Sequence, residues 1–227
     1  MNAATPATWP VSPTRFMIPG PVGALECIAL SPSERPTRIA VVCHPHSLHG
    51  GSMDNKVVVM LERALRELGV ASVRFNFRSV GASQGSYDEG IGEGEDLAAV
   101  VALARGWSPA AELILAGFSF GTFVSARMAD PLAANLLISV APAVTRFDFT
   151  GLGRPQCRWI VLQGETDEVV DPVQVFAYLA HLQPPIELLR FADTGHFFHG
   201  KLVQLRERLV AVLRGDPDPG VHPQAQA

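Results

Sequence analysis

The sequence predicts an α/β protein in which a mostly parallel β-sheet lies between layers of helices. Short apolar runs alternate with longer amphipathic stretches, and 48% of the 227 residues are apolar. The short runs are rich in β-branched residues, which suits strands buried on both faces. Repetition of strand, helix and strand favours parallel pairing, with helices on both faces of the sheet.

Seven segments are expected to form strands. Val22–Leu30 comes first and is expected to be an antiparallel edge strand. The parallel strands are expected at Ile39–Cys43, Ser72–Phe77, Leu113–Ala116, Leu136–Val140, Trp159–Leu162 and Ile186–Phe191.

Five amphipathic stretches are expected to form the helices. In the first of them Val57, Leu61 and Leu65 share one face, and Gly69 is a natural stop. The five stretches are Asn55–Leu68, Glu95–Ala104, Gly121–Ala129, Pro172–Leu182 and Lys201–Leu213. Glu93 and Asp96 are expected in the first turn of the second helix, where the helix dipole favours acids.

The chain is expected to form one domain over residues 14–214. Residues 1–13 and 215–227 are rich in proline and small residues, so both are expected to be irregular tails.

A net charge of −4 without a basic cluster argues against nucleic-acid binding. There is no secretory signal and no apolar stretch of about 20 residues, so a cytoplasmic protein without a membrane partner is expected. No cofactor is expected. The oligomeric state is left open.

The run Gly117-Phe118-Ser119-Phe120-Gly121 joins an apolar strand to a helical stretch. This is the G-x-S-x-G pattern in the context of strand, sharp turn and helix that a nucleophilic serine requires. A strained backbone would project the Ser119 hydroxyl, and the two glycines would let strand and helix approach closely. The alternative is a turn in which Ser119 only caps the helix.

A serine nucleophile needs a base, and the base needs an orienting acid. Asp167 follows the strand Trp159–Leu162 and is the expected acid; Glu165 and Asp171 are alternatives, although Asp171 suits the N-cap before Pro172. His196 follows the next strand and is the expected base, with His199 as the alternative. The order Ser, Asp, His at successive strand ends predicts the α/β-hydrolase fold.

Two backbone N–H groups are expected to form an oxyanion hole. One belongs to Phe120, and the other belongs to His46 in the loop after Ile39–Cys43, with Ser47 as the alternative. His44, His46 and His49 also permit a metal-site interpretation, but no cysteine or carboxylate nearby completes a ligand set. No metal is therefore expected.

Four segments resemble a group of small bacterial α/β-hydrolases, close to the dienelactone-hydrolase and acyl-peptidase-like branches. They are His44–Val58, Phe75–Gly85, Gly90–Asp96 and Gly117–Gly121. The resemblance covers roughly residues 20–213 and implies a serine esterase-like activity with Ser119, Asp167 and His196 as the triad. The histidine-rich loop departs from the group by carrying Ser47 where proline is expected, and dienelactone hydrolases proper use cysteine as the nucleophile.

The connection from Ala141 to Arg158 is too short for a helical cap domain. An open cleft is therefore expected, walled by Phe147, Phe149 and Leu152. Residues 76–85 are expected to contribute to the pocket wall. Arg78 either holds an anionic substrate group or ties loops together.

The leading functional hypothesis is hydrolysis of a small-molecule carboxylic ester or thioester through an acyl-enzyme. The same triad would also serve a peptidase or an acyltransferase. A non-catalytic binding module on the same fold is the third hypothesis, although such a module would normally have lost a triad member.

Overall fold

The computed structural model describes residues 5–220, whose centre is an eight-stranded β-sheet. The strands are β1 Thr14–Gly20, β2 Gly23–Leu30, β3 Arg38–Cys43, β4 Ala71–Phe75, β5 Glu112–Phe118, β6 Leu136–Val140, β7 Arg158–Gly164 and β8 Glu187–Phe191. They lie in the order β1-β2-β4-β3-β5-β6-β7-β8.

Six strands, β3 to β8, pair in parallel, and β2 pairs antiparallel to both β1 and β4. This mixed sheet with one reversed strand is the α/β-hydrolase fold, so the prediction of that fold is confirmed. The parallel strands all end at the same edge of the sheet, which is where sites form in open α/β sheets.

Five α-helices cover the two faces of the sheet. They are α1 Lys56–Glu67, α2 Ile91–Trp107, α3 Phe120–Ala129, α4 Pro172–Ala180 and α5 Leu202–Arg214. Helices α1 and α5 bury Leu61 and Leu209 in one core cluster, whereas α2, α3 and α4 contribute Leu97, Val124 and Val175 to the cluster on the other face. The prediction of helices on both faces is confirmed.

The predicted edge strand was wrong in one respect. Val22–Leu30 does pair antiparallel, but β1 lies outside it and forms the edge. In β1 only Phe16 and Ile18 are buried, because the strand presents one face to the core. Polar residues and Pro19 interrupt the run, and proline is tolerated at a sheet edge. The segment therefore lacks the continuous apolar signal of the inner strands.

Helix α2 begins earlier than predicted, at Ile91 instead of Glu95. The Glu93 carboxylate accepts the backbone N–H groups of Gly90 at 2.8 Å and Asp88 at 3.0 Å, which closes the first turn. Glu93 is thus a first-turn acid, as expected, but Asp96 lies a full turn further along and is completely buried.

Asp96 pairs with Arg78 inside the protein. Its Oδ2 accepts the Arg78 backbone N–H at 2.9 Å, and its Oδ1 accepts Nη2 of the guanidinium at 2.9 Å. Glu95 accepts a further bond from Nη2 at 3.2 Å. Because the Arg78 side chain is only 5% exposed, the alternative that it holds a substrate anion is wrong. It ties the loop after β4 to α2.

Both ends of the described chain are attached to the domain. Residues 5–13 form no helix or strand, yet the Trp9 ring packs edge-on against Trp107 at 4.9 Å. After α5, the Asp218 carboxylate accepts two bonds from the Arg208 guanidinium. Residues 1–4 and 221–227 of the predicted tails lie outside the described residues. Within residues 5–220, no helix has the length and apolar character needed to span a membrane.

We expect Asp96→Asn to lower the free energy of unfolding by about 3 kcal/mol, because it removes the buried counter-charge of Arg78 and leaves only the exposed Glu95 beside it. Urea denaturation followed by circular dichroism measures the change. Glu112→Gln, at an exposed residue that begins β5, is the control and should stay within about 0.5 kcal/mol of the wild type. Equal effects of the two substitutions would contradict a stabilising role for the Arg78–Asp96 pair.

Candidate active site

Three predicted site residues meet at the edge where the parallel strands end. Ser119 follows β5, Asp167 follows β7 and His196 follows β8. The His196 Nε2 lies 3.1 Å from the Ser119 Oγ, and its Nδ1 lies 2.8 Å from the Asp167 Oδ2. An ionised carboxylate only accepts hydrogen bonds, so Nδ1 carries the proton and Nε2 accepts the serine hydroxyl. This arrangement orients the imidazole so that Nε2 can accept the proton of the serine hydroxyl.

The turn that carries Ser119 is strained and tightly packed. Ser119 has φ 53° and ψ −117°, outside the usual regions for a residue with a side chain. A Cβ on Gly117 would lie 2.3 Å from the carbonyl oxygen of Gly121. A Cβ on Gly121 would lie 2.5 Å from the carbonyl oxygen of Cys43 at the end of β3. The predicted strain and the predicted close approach at both glycines are confirmed.

Asp167 is held by more than His196. Its Oδ1 accepts the N–H groups of Val169 at 2.9 Å and Val170 at 2.7 Å, and Gln163 Nε2 donates to its Oδ2 at 3.2 Å. Burial alone would raise the pKa of Asp167, but the hydrogen bonds from His196, Val170 and Val169 outweigh it and hold the pKa below its ordinary value.

The alternative acids lie elsewhere. Glu165 forms an exposed ion pair with Arg190 at 2.7 Å. Asp171 is the N-cap of α4, where its side chain accepts the N–H of Val173, as the sequence predicts. Neither carboxylate has a hydrogen bond to His196 in the described chain.

The His196 side chain is only 3% exposed and packs between aromatic side chains. Phe118 lies 5.0 Å from it, and Phe197 meets it edge-on at 5.1 Å. Phe197 thus shields the ring, whereas Phe198 turns into the core and packs on Phe191. The alternative base His199 is exposed.

Glu168 is a site residue that the sequence analysis missed. Its carboxylate accepts the backbone N–H of His196 at 3.0 Å and lies where a Cβ of Gly195 would be. The contact joins loops 28 residues apart. The only local signal was a second acid next to Asp167 and a glycine next to His196.

The two residues expected to supply the oxyanion donors have neighbouring side chains. Phe120 is the first residue of α3, where a backbone N–H has no acceptor within its own helix. His46 caps the short 3-10 turn Ser47–His49, and its ring lies 5.2 Å from the Phe120 ring. The His46 N–H belongs to the same peptide as the Pro45 carbonyl, which accepts a hydrogen bond from His44 Nδ1 at 2.6 Å. The His46 carbonyl, in the next peptide, accepts N–H groups from His49 at 3.1 Å and Gly51 at 3.0 Å.

The histidines of this loop are engaged within the protein. His44 is buried; its Nδ1 donates to the Pro45 carbonyl at 2.6 Å, and its Nε2 accepts the Phe77 N–H at 3.0 Å. Burial lowers the pKa of His44 to about 4, so its ring is neutral. Because both ring nitrogens have hydrogen-bond partners, neither is left for a metal. Burial, and then the charges of His49 and Arg146, lower the pKa of His46.

A cleft of about 650 Å³ opens beside Ser119. The expected wall residue Phe147 lines it, but Phe149 is buried and Leu152 borders a separate groove. Residues 76–85 do not line it; Tyr87 and Glu89, just beyond them, do. The full lining is His46, His49, Tyr87, Glu89, Ser119, Phe120, Phe123, Ala143, Thr145, Arg146, Phe147, Asp148, Val169 and Val170.

The connection between β6 and β7 contains one 3-10 turn, Thr150–Leu152, and no α-helix. The predicted absence of a helical cap is therefore confirmed for this connection, which the structure describes throughout. The cleft is open to solvent above Ser119.

Solved structures of similar sequence share this fold. XC6422 from Xanthomonas campestris, an α/β serine hydrolase without a lid, is 47% identical, with a TM-score of 0.86 over 92% of this chain and 98% of that one. An α/β serine hydrolase homologue from Coxiella burnetii is 44% identical, with a TM-score of 0.87 over 91% of this chain and 100% of that one.

A curated relative is uncharacterized protein RP471 of Rickettsia prowazekii (strain Madrid E). It is 32% identical over 195 residues, which are 80% of this chain and 81% of the relative. No family model matches the chain.

We expect the stabilisation that Asp167 provides to disappear in acid. Its folded pKa is depressed, so the carboxylate stabilises the fold above the unfolded value of about 3.9, and this contribution is lost as the pH falls through the folded pKa. The difference in free energy of unfolding between wild type and Asp167→Asn should therefore shrink between about pH 5 and pH 2. Urea titrations at a series of pH values measure it, and a difference that grew on acidification would contradict the assignment.

Proposed function

The chain belongs to the α/β serine hydrolases, and we propose that it hydrolyses a carboxylic ester or thioester through an acyl-enzyme on Ser119. The observation that carries the proposal is the hydrogen-bonded array of Ser119, His196 and Asp167 beside an open cleft. All three side chains are at least nine-tenths buried, which holds them in one geometry.

In the first half of the reaction, the Ser119 Oγ attacks the carbonyl carbon and its proton passes to Nε2 of His196. The tetrahedral intermediate then collapses, the bond to the leaving oxygen or sulfur breaks, and His196 returns the proton to that atom. In the second half, His196 takes a proton from water, whose oxygen attacks the acyl carbon. The second tetrahedral intermediate collapses, the bond to Ser119 Oγ breaks, and His196 returns the proton to Oγ as the acid is released.

The negative charge that develops on the carbonyl oxygen needs donors already in position. We assign this role to the backbone N–H groups of Phe120 and His46. The first is supported by its place at the N-terminus of α3, which favours negative charge. The second is supported by the bond from His44 Nδ1 to the Pro45 carbonyl, because that carbonyl and the His46 N–H belong to one peptide.

Asp167 orients the imidazole and stabilises the imidazolium that forms when His196 takes the proton. Glu168 supports the same ring indirectly, because it anchors the backbone N–H of His196. Glu168 is therefore a positioning residue.

A peptidase or an acyltransferase would use the same array and differ only in the leaving group or the acceptor. A binding module would not need the array at all, and its completeness argues against that reading. The open cleft favours hydrolysis, because water reaches the acyl-enzyme without a lid having to move.

We expect a fluorophosphonate probe to label Ser119, because the probe reacts with an activated serine hydroxyl. Ser119→Ala should abolish labelling and lower kcat for p-nitrophenyl esters by about 10⁴-fold or more. The double variant Ser119→Ala/His196→Ala should lose no more than Ser119→Ala alone, since the residues act as a unit. Mass spectrometry of the labelled peptide and steady-state kinetics make the measurements.

Ser86→Ala, at an exposed serine near the cleft, is the control and should label normally. Folded wild-type protein that leaves Ser119 unlabelled would refute the proposed nucleophile. Aminoacyl amides and added alcohols, tested beside the esters, separate peptidase and acyltransferase activity from hydrolysis.

We expect Asp167→Asn to reduce kcat by about 10⁴-fold, because the amide no longer holds His196 in the required tautomer. Glu165→Gln and Asp171→Asn are matched controls at the alternative acids and should retain activity within a few-fold. Stopped assays with the same ester compare the three variants. If Glu165→Gln or Asp171→Asn lowered kcat more than Asp167→Asn does, the residue replaced in that control would be the acid instead of Asp167.

A further inference from the structure

Five aromatic rings form one contiguous set along the cleft. Tyr87, His46 and Phe147 give it a partly exposed surface, whereas Phe120 and Phe123 are buried. Tyr87, His46, Phe120, Phe147 and Phe123 follow one another with centroid separations of 4.9, 5.2, 5.1 and 5.0 Å. They come from the loop before α2, the loop after β3, the start of α3 and the loop after β6. All five line the cleft, and the second and third carry the proposed oxyanion donors.

The rings are fixed in place by their contacts. Phe123 and Phe147 stack with 20° between their planes. The His46 Nδ1 accepts the Leu48 N–H at 3.3 Å, so its Nε2 carries the proton and donates to the Tyr87 hydroxyl at 3.2 Å. Ala143 and Thr145, also in the lining, have small side chains. A volume of about 650 Å³ accommodates a group larger than acetyl.

The position of His196 indicates which half of an ester occupies this space. His196 must return its proton to the leaving group, so that group lies beside Nε2. His196 and Asp167 do not line the ring-walled cleft, whereas Ser119 and Phe120 do. With the carbonyl oxygen directed at Phe120 and His46, the acyl substituent therefore extends over the rings and away from His196.

We propose that this surface is an acyl-binding site selective for esters of aromatic carboxylic acids, an inference that rests on the hydrolase function proposed above. Aromatic rings in contact attract each other through face and edge electrostatics beyond the area that they bury. A saturated ring of the same size buries similar apolar area but lacks this attraction. The surface thus discriminates by the electronic character of the acyl group as well as by its size.

The test compares ethyl benzoate with ethyl cyclohexanecarboxylate, which share a leaving group and a ring size. For each protein, the ratio of kcat/KM for the two esters is divided by the ratio of their hydroxide-catalysed rate constants. We expect this corrected ratio to favour benzoate by about three- to tenfold in the wild type. Phe147→Leu, which keeps apolar volume but removes a ring, should lose most of that preference, and Phe147→Tyr should keep it.

Phe197→Leu is the matched control, because Phe197 packs on His196 and does not line the cleft. Its corrected ratio should equal that of the wild type. A wild-type ratio of one or less, or a ratio unchanged by Phe147→Leu, overturns the acyl-site proposal while leaving ester hydrolysis intact. Failure to hydrolyse either ester, together with an unlabelled Ser119, overturns both proposals.

Discussion

The packing of backbone against backbone at the Ser119 turn is the constraint on which the rest of the site depends. Gly117 meets the backbone of Gly121 and Thr122, and Gly121 meets the carbonyl groups of Cys43 and His44. No side chain fits in either contact, so the start of α3 lies directly against the end of β3. That closeness brings the N–H of Phe120 and the His46 loop to the same side of the serine.

Buried polar contacts hold the loops around this turn. Asn76 donates to Glu26 at 2.7 Å and accepts the Met53 N–H at 2.8 Å, which ties β2 and the segment before α1 to the end of β4. His44 and Arg78 then hold the next residues through the Phe77 N–H and the Asp96 carboxylate. The chain that leads to Tyr87 is thus anchored at successive residues, by hydrogen bonds and by the Arg78–Asp96 ion pair.

Sequence reasoning succeeded where a local pattern determines the structure. The inner strands have uninterrupted apolar runs, and the spacing around Ser119 reflects a turn that only glycine allows at two positions. Asp167 and His196 were predicted from their order at strand ends, and the structure brings both to Ser119. Their catalytic roles stay a proposal.

The structure departs from the sequence prediction where contacts between distant segments determine it. The edge strand Thr14–Gly20 buries only alternate residues and was missed. The cleft wall at Tyr87 and Glu89 lies in a loop without periodicity, and Glu89 has a positive φ of 54° that no local rule predicts. Asp96 was expected to interact with the helix dipole, although it pairs with Arg78, which lies 18 residues away. Contacts between distant segments, such as Glu168 with the His196 N–H, leave little trace in sequence.

The short connection between β6 and β7 has a kinetic consequence. In hydrolases with a lid, opening and closing steps often limit how fast products leave. The described chain has no such cap over Ser119, so in the proposed reaction departure of the alcohol and acid requires only diffusion out of the cleft. For that reaction, bond making and breaking at the serine are expected to limit turnover, and its viscosity dependence is expected to be weak.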